Sequence, residues 1–113
     1  MKREIIALTE QVTVYGSKNK KKVIARIDTG ATKSSMDIKL ASELELGPII
    51  ETKTVRSAHG TSLRPILKAK IRIKNKLFKS KFSLADRQHL KYSLLIGQNI
   101  LKKTNFLIDP SKK

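Results

Sequence analysis

The stretch ARIDTGATKSS, Ala25–Ser35, sets one carboxylate, Asp28, in a patch of Thr, Gly and Ala at the end of an alternating apolar run. Asp and Gly are ordinary turn residues, so the three letters Asp28-Thr29-Gly30 by themselves mark the place where a strand stops. They also suit a chemical task. Two carboxylates a few ångströms apart cannot both ionise near neutrality, so they share a proton and activate a water between them. Such a pair needs a stiff turn in which a small Gly lets backbone and substrate approach and a Thr hydroxyl bonds inward. One chain supplies a single Asp-Thr-Gly, so a pair would need a second copy related by a two-fold axis.

Upstream, Val23, Ala25 and Ile27 alternate with Ile24 and Arg26, which predicts a strand with one apolar face running into Asp28. Before it, Ile5, Ile6, Val12 and Val14 surround a polar middle and predict two short strands or one bent one. Gly16 then opens GSKNKKK, a Lys-rich loop that tips a hairpin. Downstream, SSMDIKLASELELGP predicts a short helix: Ser34 or Ser35 caps it, Met36, Leu40 and Leu44 recur every four residues, and Gly47-Pro48 stops it. A hairpin follows in ETKTVRSAHGTSLRPIL, with Ala58-His59-Gly60-Thr61 at its tip.

From Lys68 to Leu77 the alternation is cleanest. Lys68, Lys70, Arg72, Lys74 and Lys76 take one side, and Ala69, Ile71, Ile73 and Leu77 most of the other. A turn at Lys74-Asn75-Lys76 returns the chain through Phe78, Phe82 and Leu84. YSLLIGQNILKK predicts a buried strand, Gly97 and a short helix, and NFLID a last strand. Strand, Gly, helix thus occurs twice, at Asp28-Thr29-Gly30 and at Leu95-Ile96-Gly97.

The 113 residues suit one domain and one core. With no cysteine, disulfides and thiolate metal sites are excluded. The apolar runs fall short of a membrane span and MKREIIALTE lacks the apolar centre of a secretion signal, so a soluble, cytoplasmic protein with no membrane partner is expected. The net charge of +16 favours acidic partners or phosphates. Two Tyr and three Phe give few platforms for stacking bases, so nucleic acid ranks low as a partner.

The order of these elements resembles the retropepsin-like aspartic proteases, over about residues 23–109. Asp28-Thr29-Gly30-Ala31 matches their catalytic motif, and Leu94-Leu95-Ile96-Gly97 the hydrophobic-hydrophobic-Gly motif that crosses behind it. Within that clan, AHGTSLRPI and ADRQHLKYSLLIGQNIL with FLIDPS look most like the bacterial and archaeal family known as ATP-dependent zinc proteases, associated with ATP-grasp ligases that add glutamate to proteins. The resemblance implies a mostly β, single-domain closed barrel with one or two short helices, an aspartic peptidase active as a homodimer on peptide or protein substrates, including acidic tails. It makes Asp28 the catalytic carboxylate, Thr29 the interlocking hydroxyl and Gly30 a substrate contact. Ala31 and the flap residues Ser57, Ala58, His59, Gly60 and Thr61 would line the substrate, Leu95, Ile96 and Gly97 would support the site, and NFLID would pair strands between subunits. The sequence departs from the viral pattern at Thr32, where those enzymes carry Asp, and at Gln98, where they carry Arg. Two neutral residues replace an ion pair there, and a hydrogen bond is the expected substitute.

Zinc, named in that family's label, is not expected. Zinc needs three or four Cys, His or carboxylate ligands, and the chain has only His59 and His89 and no His-Glu-x-x-His helix. GSKNKKK lacks phosphate-loop spacing, so no cofactor is expected and ATP would belong to a partner. Two other readings stand beside the protease. One is a basic binding module for acidic peptide or nucleic acid, with Asp28 merely shaping a turn; the other is a subunit that holds a peptide without cutting it. For the lysine ladder, protection of an exposed strand edge ranks above nucleic-acid recognition.

Overall fold

Six strands close on themselves around the apolar faces that the alternation marks out. The computed structural model describes residues 3–112, apart from the side chain of Ser57. In chain order the elements are β1 (Ile5–Ile6), β2 (Thr9–Tyr15), β3 (Lys20–Ile27), β4 (Ser35–Asp37), α1 (Ile38–Glu43), β5 (Ile49–Ser57), β6 (Gly60–Ile73), β7 (Lys76–Ala85), β8 (Leu94–Ile96), α2 (Gln98–Leu101) and β9 (Leu107–Ile108). The main sheet runs β2-β3-β8-β4-β7-β6-β5, and β2 also pairs with β6, which closes the barrel and leaves β5 outside it. Closure is possible because β6 is long: Gly60–Leu67 pairs with β5, Lys70–Ile73 with β2, and Ile66–Ile73 with β7.

Val12, Val14, Ala25, Ile27, Leu67, Ile71, Ile73, Phe82, Leu94 and Ile96 fill one core, joined by Leu40 and Ala41 of α1 and by Leu44 at its C-cap. Each large aliphatic side chain so buried contributes roughly 1.5–3 kcal/mol, and with no disulfide the burial has to hold the barrel alone.

Three expectations change. The segment from Ser34 is not all helix. Ser35–Asp37 forms β4, pairing with β7 and β8, and α1 starts only at Ile38, with Asp37 at its N-cap and no side-chain cap bond, so neither Ser34 nor Ser35 caps it. Pairing on both sides outweighs the weak local preference of so short a helix. Leu77 lies on the outer face, 45% exposed, because the chain reverses at Lys74-Asn75 and puts Leu77 opposite Arg72. The NFLID strand, β9, pairs in parallel with β1 of its own chain, Ile5 with Leu107 and Ile6 with Ile108.

Candidate active site

The topology puts Asp28 at a crossing. β8 lies between β3, with which it is parallel, and β4, with which it is antiparallel. The loop of residues 28–34 therefore leaves β3 on one side of β8 and returns as β4 on the other. Asp28 is the first residue of that loop, half-buried, and its N–H donates to the Ile96 carbonyl at 2.9 Å. Its Oδ1 accepts the Gly30 N–H at 2.9 Å, so it does shape a turn, with Ala31 N–H reaching the Asp28 carbonyl at 3.3 Å. Among the described residues no donor bonds its Oδ2.

Beneath the loop the chain must be bare. A Cβ on Gly97 would stand 2.2 Å from the Lys33 carbonyl oxygen and 2.8 Å from that of Ala31, so only glycine lets β8 pass under it. The strands are then tied together. The Gln98 N–H donates to the Ala31 carbonyl at 2.8 Å and the Asn99 N–H to that of Thr32 at 3.2 Å. The Gln98 side-chain Nε2 donates to the Thr29 carbonyl at 2.7 Å. The hydrogen bond expected between the Thr32 and Gln98 side chains is not formed among the described residues, because the Gln98 amide turns to the backbone of Thr29 instead.

Ser34 and Asn99 are the residues the sequence reading missed. Fully buried, Ser34 accepts the Gly97 N–H at 2.9 Å and donates to Asn99 Oδ1 at 2.7 Å, while Asn99 Nδ2 donates to the Lys81 carbonyl at 3.1 Å. Buried polar groups are mostly hydrogen-bonded, and the signal was a Ser ahead of Met36 where the buried β4 begins and an Asn two residues after Gly97. Asp37 was missed too. Buried at the end of β4, it accepts the Arg87 N–H on Oδ1 at 2.8 Å. Burial pushes the Arg87 guanidinium pKa below its usual range, with Asp37 opposing that shift. The two residues line a cavity of about 670 Å³ with Val23, Leu90 and Tyr92, and no residue of the Asp28 turn enters it.

Of the expected site residues, Asp28, Thr29, Gly30 and Ala31 are brought against Leu95, Ile96 and Gly97. Thr29 is exposed, and among the described residues nothing bonds its hydroxyl. Ala58 and His59 form the two-residue loop of the β5–β6 hairpin, Ser57 pairs with Gly60, and Thr61 lies within β6 opposite Arg56. Gly60 takes φ +118°, a conformation an L side chain rarely adopts. Beyond Pro65 this hairpin is a two-stranded arm.

Cations flank the Asp28 turn along the chain. Arg26, two residues before it and exposed, shares its side of β3 by alternation and lines a cavity of about 350 Å³ with Leu8, Thr9, Ile27 and Tyr92. Lys33, at the far end of the loop, meets Lys53 of β5 closely enough that the hydrogen bond and charge of Lys53 lower the Lys33 pKa below its usual 10.5, against a weaker pull from Glu51. Among the described residues no three His, Cys, Asp or Glu side chains cluster as metal ligands would, and no helix is long and apolar enough to cross a membrane.

A family model described as RimB-like, retropepsin-like aspartic endopeptidase RimB, matches residues 38–113. The chain belongs to this family. The match starts after the Asp28 turn, so that motif rests on its geometry, and the zinc-protease label finds no support in it. No curated protein matches the chain. Among solved structures, Lpg0085 of Legionella pneumophila, of unknown function, is 20% identical, with 99% of this chain and 97% of that one covered at TM-score 0.69. Simian foamy virus (mac) protease is 15% identical over 79% of this chain and 86% of its own, TM-score 0.61. EIAV protease, solved with the inhibitor HBY-793, is 20% identical over 84% and 85%, TM-score 0.65. At these identities the likeness is one of fold: the RimB-like chain has the retropepsin barrel.

Proposed function

We propose that this RimB-like chain is an aspartic endopeptidase that works as a homodimer, with one Asp28 from each subunit in a shared site. The observation that carries the reading is the crossing: Gly97, Ser34 and Gln98 tie down the loop that carries Asp28, and its half-buried carboxylate accepts the Gly30 N–H on Oδ1 while, among the described residues, no donor bonds Oδ2. In the dimer the two carboxylates share one proton and hold a water. The ionised carboxylate takes a proton from that water as its oxygen attacks the peptide carbonyl, and the protonated one donates to the carbonyl oxygen. Collapse of the tetrahedral diol then expels the amine, which takes up a proton, with no covalent intermediate.

Thr29, exposed beside the loop, would bond across the two-fold axis, and the β5–β6 arms would fold over the substrate. Exposed apolar side chains at Ile5, Leu8 and Leu107 offer contact surface for a second subunit on the β1–β9 side. Arg26 and the Lys33–Lys53 pair would favour acidic side chains next to the cut, since a carboxylate would relieve the repulsion that depresses Lys33. The test is mass-spectrometric profiling of a peptide library rich in acidic sequences, with Asp28→Asn as control. Cleavage that vanishes in the variant is expected. Peptide binding without cleavage by a dimeric wild-type protein would leave a holding module instead.

A further inference from the structure

We propose that the outer face of β3, β2, β6 and β7 docks double-stranded RNA by its phosphate backbones. The register fixes what this face presents. Lys20 pairs with Tyr15, Tyr15 with Lys70, and Lys70 with Lys79, making one row across four strands; Lys22, Thr13, Arg72 and Leu77 make the next, and Lys68 opposite Lys81 flanks them. These side chains point outward because Val12, Val14, Ile71 and Ile73 between them point into the core.

Protection of a strand edge does not account for the ladder. Residues Lys70–Ile73 of β6 are bonded to β2 on one side and β7 on the other, so there is no edge there to protect. Like charges directly opposite each other in a sheet are destabilising, yet Lys70 faces Lys79 and Lys68 faces Lys81. The ion pairs among the described residues are Lys21–Glu43, Lys74–Glu10 and Lys81–Glu51. Lys20, Lys22, Lys68, Lys70, Arg72 and Lys79 are therefore unneutralised on one continuous surface. Tyr15 sits among them: Arg72 Nε donates to its hydroxyl at 3.0 Å and Lys70 Nζ lies 5.6 Å from its ring centroid.

The layout selects the ligand. The cations of β3 and those of β6 form two tracks either side of β2, about 10 Å apart at two strand spacings, which suits two phosphate backbones better than one thin acidic peptide. Five of the six are lysines, which act as point charges on phosphate, and Arg72, whose Nε donates to the Tyr15 hydroxyl, keeps its terminal nitrogens for a phosphate oxygen. The face is made of strand side chains, with neither a helix to enter a DNA major groove nor a row of aromatics to stack single-stranded bases. Duplex RNA offers a wide, shallow minor groove lined with 2′-hydroxyls, and the hydroxyls of Thr13 and Tyr15 lie between the tracks to meet them.

The test is fluorescence anisotropy of a short labelled RNA duplex with the full chain across salt concentrations. Two triple variants of equal net charge are compared with wild type: K70Q/R72Q/K79Q on the face and K39Q/K102Q/K103Q away from it. Wild type should bind with affinity falling steeply in salt. The face variant should lose about tenfold or more and flatten the log–log salt slope by roughly 2.7, or 0.9 per lost phosphate contact, and the control should keep the wild-type slope. Lys79→Gln alone, which only removes repulsion, should stay folded and flatten the slope by roughly 0.9. The proposal fails if the duplex does not bind, if both triple variants weaken equally, or if duplex DNA or poly-glutamate of equal charge displaces the RNA as well as unlabelled RNA does.

Discussion

Gly97→Ala tests the crossing that holds Asp28. The new Cβ would lie 2.2 Å from the Lys33 carbonyl oxygen, 2.7 Å from its carbon and 2.8 Å from the Ala31 oxygen, all backbone atoms that cannot swing aside as a side-chain end could. Overpacking of this kind costs about 1–3 kcal/mol. Moving the loop away also sacrifices the Gln98 N–H to Ala31 and Gly97 N–H to Ser34 bonds, at about 1 kcal/mol each. The sum is about 3–5 kcal/mol, a large part of the 5–15 kcal/mol typical of a domain. In urea unfolding at fixed protein concentration, with a slope of about 2 kcal/mol/M, the midpoint should fall by roughly 2 M. Gly30→Ala is the internal comparison. Its Cβ would meet only Asp28 Oδ1, at 3.3 Å, so its stability should stay within about 1 kcal/mol of wild type. A Gly97→Ala protein as stable as wild type, or equal losses at the two glycines, would refute the clamp.

Ser34→Ala should cost about 2–4 kcal/mol by the same assay, because it strands the Gly97 N–H and removes a donor from Asn99 in the interior; a loss below about 0.5 kcal/mol would mean the loop reseats its bonds. The Tyr15 phenol should ionise below its usual 10.0, chiefly because Arg72 bonds it. As an acid whose folded pKa is depressed, it adds stability that is full above about pH 10 and fades as pH falls through the folded value. In a tyrosinate absorbance titration, Arg72→Gln should move that step upward, and an unchanged curve would contradict the contact. Arg26→Glu should lower cleavage of acidic peptides about tenfold in kcat/KM relative to neutral ones, close to 1.4 kcal/mol of barrier; an unchanged ratio would remove Arg26 from substrate selection.

Much of this was legible locally. The strand into Asp28, the β5–β6 hairpin with Gly60 at its turn, and the strand-to-helix passage through Gly97 each carry their signal within a few residues, and the structure has them. What was not legible depends on partners far along the chain. The four-residue spacing of Met36, Leu40 and Leu44 fits a helix, yet Met36 is buried on β4 because Leu94 and Leu84 lie either side of it. Leu77 looked inward until the reversal at Lys74-Asn75 flipped its side. The lysine ladder read as edge protection only while the closing β2–β6 pairing was unknown. Ser34 and Asn99, 65 residues apart, become a pair only when the loop is laid over β8.

The central claim is that two Asp28 carboxylates, one from each subunit, make the active site, and subunit mixing tests it directly. Wild type and Asp28→Asn are unfolded together in equal amounts, refolded at constant total protein, and assayed on the best acidic peptide from the library. If both carboxylates are needed, only dimers with two wild-type subunits cut, and activity falls to about one quarter of the all-wild-type value. Activity of one half would show that each subunit works alone and would contradict the account.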